Sequence, residues 1–61
     1  MKRQDLLKRL HAAGCVLHRE GKGHSIWINL ATRVRTAVPR HRELDEHTAR
    51  AILKQLGVPD E

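Results

Sequence analysis

The stretch CVLHREGKGHSIWINLATRVRTAVP, residues 15–39, decides the fold. Three short runs within it read as strands. CVLHRE is bounded by Gly14 and Gly21. HSIWIN is rich in residues that suit a pleated, half-buried surface. RVRTAVP alternates, with Val34, Thr36 and Val38 on one face and Arg33, Arg35 and Ala37 on the other. Pro39 closes it, since proline cannot donate to a ladder. Two glycines, Gly21 and Gly23, mark the first connection. NLAT makes the second and lacks glycine, which argues against a two-residue type I′ turn there. In HSIWIN, Ile26 and Ile28 share one face, taken as the core side, and Trp27 takes the other. Trp27 is read as packing, because the chain has few other large groups.

A helical pattern flanks these strands on each side. In RQDLLKRLHAAG, Leu6, Leu7, Leu10 and Ala13 recur at helical spacing and Gly14 is a stop. In LDEHTARAILKQLGVP, the apolar stripe is Ala49, Ile52, Leu53 and Leu56. Asp45 can cap its start, Gly57 ends it and Pro59 follows. The order α-β-β-β-α makes an α+β fold. Its economical packing is a three-stranded antiparallel sheet with both helices on one face. The other sheet face stays open and carries Arg33 and Arg35.

The chain of 61 residues reads as a single domain over 1–61. A chain this short buries only about 60% of its unfolded surface, so its core is small. Cys15 is the one cysteine, which excludes an internal disulfide, and it reads as a small buried hydrophobe. With no signal-like segment, a lone cysteine fits a reducing cytoplasm. No apolar run approaches the roughly 20 residues that span a bilayer. Lys and Arg number 12 against 7 Asp and Glu, a formal net charge of +5. Such a balance suits a polyanion. Residues 33–42 hold four arginines and a histidine without one acid. Trp27 is the lone aromatic among Phe, Trp and Tyr, so a base-stacking platform is not expected.

RVRTAVPRHR supplies the charged candidates. Arg40 and His41 follow Pro39 directly, and a guanidinium fork suits phosphate oxygens. A solvated strand face is the plainer account of the same run. None of the five histidines has the i, i+4 partner of a zinc helix, and no acidic cluster offers itself to magnesium. No metal or cofactor is expected. His24 stands where a glycine-bearing loop enters a strand. A histidine there can donate to phosphate or move a proton near neutral pH. From the residues alone a plain turn residue is the stronger reading, because a lone histidine is weak evidence. Parity also places it with Ile26 and Ile28, so it escapes burial only at the strand's rim. Ser25 has no marked base or orienting acid and reads as a strand hydroxyl.

Taken together, LLKRLHAAGCVLHREGKGHSIWIN, TAVPRHREL and TARAILKQLGV resemble the HicA toxins of type II toxin–antitoxin systems, from about Leu6 to Val58. The ordered set carries the resemblance: an opening helix, Arg19 with His24 five residues on, Val38 to His41, and the Thr48 to Gly57 helix. It implies a fold like a double-stranded RNA-binding domain and an RNA-cleaving activity that stops translation. The family's key histidine maps onto His24. Its antitoxin, HicB, masks that histidine and usually carries a DNA-binding domain. Three positions depart from the pattern. Lys22 and Gly23 stand where Gly-Ser or Gly-Asn often precede the histidine. Arg33 replaces a glycine common before the third strand. Cys15 replaces an aromatic common after the first helix.

The expectation is therefore an endoribonuclease acting on mRNA. His24 is its general acid or base, and Lys22, Arg35, Arg40 and His41 hold phosphate. RNA and a HicB-like antitoxin are its partners. Two rivals are a non-catalytic RNA-binding module of the same fold and a small basic DNA-binding protein. Three strands between the helices make a helix-turn-helix a poor fit.

Overall fold

The computed structural model describes residues 1–59; Asp60 and Glu61, the end of the domain read from the sequence, lie outside the described residues. The elements are α1 (Arg3–Ala12), β1 (Cys15–Glu20), β2 (His24–Asn29), β3 (Arg35–Pro39) and α2 (Glu46–Gln55). The sheet is antiparallel in the order β1-β2-β3. One apolar cluster holds Leu6 and Leu10 of α1, Ile52 and Leu53 of α2, and Cys15 and Val38 of the sheet. A cluster shared in this way places both helices on one sheet face and leaves the other open, as expected. No helix of the described residues is long and apolar enough to cross a membrane.

The helix ends follow local chemistry. Asp45 caps α2, its Oδ1 accepting the Thr48 backbone N–H at 2.7 Å. That satisfies one of the donors a helix start leaves open. Gly57 adopts φ +72°, and the Val58 N–H then turns back to the Leu53 carbonyl at 2.8 Å. Lys2 precedes α1 without a side-chain cap. Instead the Arg3 N–H donates to the Arg42 carbonyl at 3.0 Å, and the Met1 ammonium donates to the Leu44 carbonyl at 2.8 Å. The N-terminus is thus stitched to the segment before α2.

The facing of β2 is the reverse of the sequence expectation. Ser25 and Asn29 are buried, and Trp27 packs against the core cluster. Ile26 and Ile28 lie half-buried on the open face. They are covered by cross-strand neighbours, Ile26 lying between Arg19 and Ala37, and Ile28 between Val16 and Arg35. Hydrophobic alternation separates the two faces of a strand. It does not say which of two apolar faces the helices cover.

Two other boundaries differ. β3 begins at Arg35 rather than at Arg33. Arg33 sits in the connection with φ +66°, its N–H donating to the Asn29 carbonyl at 2.7 Å. It is the one non-glycine residue with positive φ among the described residues. Arg33 therefore does not share the open strand face with Arg35. Ala13, placed on the apolar stripe of the first helix, is exposed beyond its end.

β1 carries a bulge. Leu17 pairs with Trp27, but Arg19 pairs with Ile26, so His18 is the extra residue. A bulge re-aims the side chains that follow it. Cys15 and Leu17 share the helix side of β1. Past the bulge Arg19 falls on the open face, and Glu20 turns to the helix side opposite Ser25.

Candidate active site

The β1–β2 hairpin and the residues after β3 come together at one end of the sheet. His24 opens β2 opposite Pro39 and is exposed. It shares its face with Ile26 and Ile28, as parity requires, but that face is the open one. The burial that parity threatened does not arise. Its Nδ1 lies 3.2 Å from the Lys22 carbonyl oxygen. A carbonyl only accepts, so Nδ1 carries the proton in this contact. In the neutral ring Nε2 then keeps its lone pair. Gly23, with φ +75°, makes the turn that brings the Lys22 carbonyl back onto the imidazole.

The other residues singled out from the sequence are distributed unevenly. Lys22 is exposed in the hairpin loop beside His24. Arg40 reaches the same loop: its Nη2 donates to Glu20 Oε1 at 2.7 Å, to the Gly21 carbonyl, and to the His24 carbonyl at 3.5 Å. His41 follows it, exposed. Arg35 is elsewhere. It pairs with Ile28, four residues along β2 from His24. At the rise of a strand that is about 13 Å of backbone. Its Nη1 donates to His18 Nε2 at 3.3 Å. Arg35, Arg19 and Ile26 line one open groove on the bare sheet face.

Ser25, read from the sequence as a strand hydroxyl, and Glu20, given no role there, meet at this end of the sheet. Ser25 is 1% exposed. Its Oγ donates to Glu20 Oε1 at 2.9 Å and accepts from Arg3 Nη2 at 2.9 Å. Arg3 Nε donates to the Pro39 carbonyl at 2.9 Å. The Ser25 hydroxyl and the neighbouring Arg40 and Arg3 charges hold the Glu20 carboxyl below its ordinary range. The one available signal for Glu20 was its isolation as the sole acid between the chain's two ends. Reading the partnership itself required knowing the bulge.

A second groove opens between the start of α1 and the residues after β3. It is lined by Lys2, Arg3, Arg40 and Arg42, with Glu43 as its only acid. Among the described residues no three His, Cys, Asp or Glu side chains converge as a metal site would require. Among the described residues the orphaned buried polar side-chain atom is Trp27 Nε1. It lies on the core side and away from the open face that carries His24.

The ends of this geometry are the ends of the resemblance: the histidine of the hairpin, the segment after β3 and the closing helix. Residues 3–58 match the family model described as the HicA toxin of bacterial toxin–antitoxin. Comparison with curated proteins gives no match, and comparison with solved structures gives none. The family match spans all five elements, from the first residue of α1 to the valine that closes α2, and the chain accordingly belongs to the HicA family of toxins, whose counterparts are antitoxins.

Proposed function

We propose that the chain, as one domain over residues 1–61, is a cytoplasmic endoribonuclease that cleaves mRNA and so inhibits translation. The observation that carries the reading is the tethered imidazole. His24 is exposed at the sheet's rim with its Nδ1 against the Lys22 carbonyl, a contact that leaves Nε2 as the basic nitrogen of the neutral ring. A base held in one orientation within reach of a substrate proton is the first requirement of general base catalysis.

In the proposed reaction Nε2 removes the 2′-hydroxyl proton of a ribose. The 2′-oxygen attacks the adjacent phosphorus, the P–O5′ bond breaks, and the 5′-oxygen leaves with a proton from solvent. The products are a 2′,3′-cyclic phosphate and a 5′-hydroxyl. Phosphate charge grows as the new bond forms, and a nearby cation stabilises that state more than the ground state. Lys22, free in the loop beside His24, is placed for this. His41 is a second contact after Pro39. Arg35 is assigned to a phosphate farther along the strand, on the bare sheet face. Arg40 lies against the same rim, but its Nη2 is already committed to Glu20 and loop carbonyls.

A HicB-like antitoxin would silence this arrangement by covering His24. The test is His24→Ala. The ring is exposed and its one hydrogen bond is local, so the variant should melt within a few degrees of wild type. Loss of a positioned general base costs about 10²–10⁴-fold in rate. Cleavage of a capped or tailed mRNA with cyclic phosphate ends in wild type, and its loss in a folded His24→Ala chain, is the expected result. Cleavage that persists in that variant refutes the assignment. RNA bound by wild type but never cut would leave the non-catalytic RNA-binding reading standing.

A further inference from the structure

The loop that carries His24 is held by a group that makes no sense as a substrate contact. Glu20 is an acid within the basic end of a protein whose proposed substrate is a polyanion. Its Oε1 receives the Ser25 hydroxyl at 2.9 Å and the Arg40 guanidinium at 2.7 Å. From that anchor, the same Arg40 nitrogen reaches the carbonyls of Gly21 and His24, which bracket the loop. Lys22, whose carbonyl holds the imidazole, lies between them. Two glycines make this loop permissive; the Gly21 N–H donates to the His24 carbonyl at 2.8 Å and closes its base, while the Gly21 and Lys22 carbonyls have no such backbone restraint and depend on groups outside the loop. Ser25 is fixed in turn by Arg3, which also binds Pro39 across the sheet from His24. The bulge at His18 is what turns Glu20 to this side, opposite Ser25.

We infer that Glu20, Ser25 and Arg40 are positioning residues for His24. The Glu20 carboxylate holds Arg40 over the loop. Arg40 holds the Gly21 carbonyl, and the Gly21 N–H in turn holds the His24 carbonyl. The fixed loop keeps the Lys22 carbonyl on Nδ1, and so keeps Nε2 as the basic nitrogen. The inference rests on the cleavage reading for its rate consequences, while its structural consequence, the tautomer of His24, does not depend on RNA at all. Arg40 is thereby assigned to the geometry of the base rather than to phosphate.

Glu20→Gln separates this role from the alternatives because its effects have opposite signs. Removing a negative charge beside a polyanion site leaves RNA binding equal or tighter. Loosening the base lowers turnover, on the order of tenfold to a hundredfold for a misplacement of about 1 Å. An exposed ion pair contributes little to global stability, so the fold should persist. The measurements are kcat and KM on one defined RNA, the melting midpoint, and the His24 ring tautomer from carbon and nitrogen chemical shifts. Glu20→Gln should lower kcat with KM unchanged or reduced, and should shift His24 from a predominantly Nδ1–H ring toward a mixture. Arg40→Met should do the same, and Arg40→Lys should be intermediate, since lysine keeps the charge but not the fork. Ser25→Ala, which alters the anchor without changing charge, should move the tautomer in the same direction.

A wild-type chain that cuts no RNA sinks the functional reading. A wild-type chain that cuts RNA, beside a Glu20→Gln chain with equal kcat and the same tautomer ratio, sinks the positioning role alone. An Arg40→Met chain with raised KM, a salt slope smaller by about one and unchanged kcat returns Arg40 to the phosphate and overturns the inference.

Discussion

Asn29 is the residue whose replacement should cost this fold most for its size. It ends β2 and is 6% exposed. Its Nδ2 donates to the Leu56 carbonyl at 2.6 Å, where α2 ends, and its Oδ1 accepts the Ala31 N–H at 2.9 Å. Leu56 is the C-cap residue, so its carbonyl has no partner within the helix, and the contact is buried. Asn29→Ala removes two hydrogen bonds worth about 1 kcal/mol each, and strands a buried acceptor that costs about 1–3 kcal/mol when left alone. The two figures overlap, so a loss of about 2–4 kcal/mol follows. A domain of this size shifts its melting midpoint by roughly 4–8 °C per kcal/mol, which gives a fall of about 8–32 °C. Circular dichroism melts at neutral pH measure it. Asn29→Asp should be worse than alanine at pH 7, because a carboxylate then faces the Leu56 carbonyl. It should draw level near pH 4, where a protonated carboxyl can donate. An Asn29→Ala chain that melts within about 3 °C of wild type would refute the reasoning, since the Leu56 carbonyl must then be satisfied without it.

Other outcomes follow from the same structure. Arg33→Gly should stabilise by up to about 1 kcal/mol, because the left-handed penalty of roughly 1–2 kcal/mol outweighs the chain entropy glycine adds; a destabilised variant would contradict the φ of +66°. Glu20 and Asp45 both have carboxyl pKa values held down in the folded chain, Glu20 first by the Ser25 hydroxyl and Asp45 first by the Thr48 N–H. Because the folded values lie below the unfolded ones, their stabilisation is present above the ordinary carboxylate range and is lost as pH falls through the folded values. The midpoint of wild type should therefore drop more steeply between pH 5 and pH 2, on the order of the carboxylate range, than that of the Glu20→Gln, Asp45→Asn chain; parallel curves would count against it. Cys15 is fully buried and its thiol pKa is raised by that burial. Iodoacetamide should label it on the order of tenfold or more slowly in the native chain than in urea, and equal rates would show the core to be open.

Much of the fold is legible in the residue pattern, and the reasons are local. The α2 cap at Asp45, the turn at Gly57 and the two apolar helix stripes depend on neighbours within one or two turns. The candidate site was legible only as a place. A histidine after a glycine-bearing loop marks the rim, and the resemblance selects His24. The sequence offers no sign that Arg40 is tied to Glu20, because that pairing joins residues 20 apart across the sheet end. Likewise, nothing local marks Ser25 as more than a strand hydroxyl until Arg3 is brought to it from α1.

By itself, then, the sequence determines the order of elements, the antiparallel sheet, the helix ends and a basic chain with one histidine at a loop-to-strand junction. The tertiary structure alone decides which face of β2 is the inside. Both faces offer apolar side chains, and by count the pair Ile26 and Ile28 outweighs Trp27. That balance is reversed by hydrogen bonds that exist only when distant parts meet. Ser25 is satisfied by Arg3 and Glu20, and Asn29 by the end of α2. Burying those two polar groups is possible only because their partners lie on the helix side. That choice sends Ile26, Ile28 and His24 to the open face, where the imidazole is exposed to solvent.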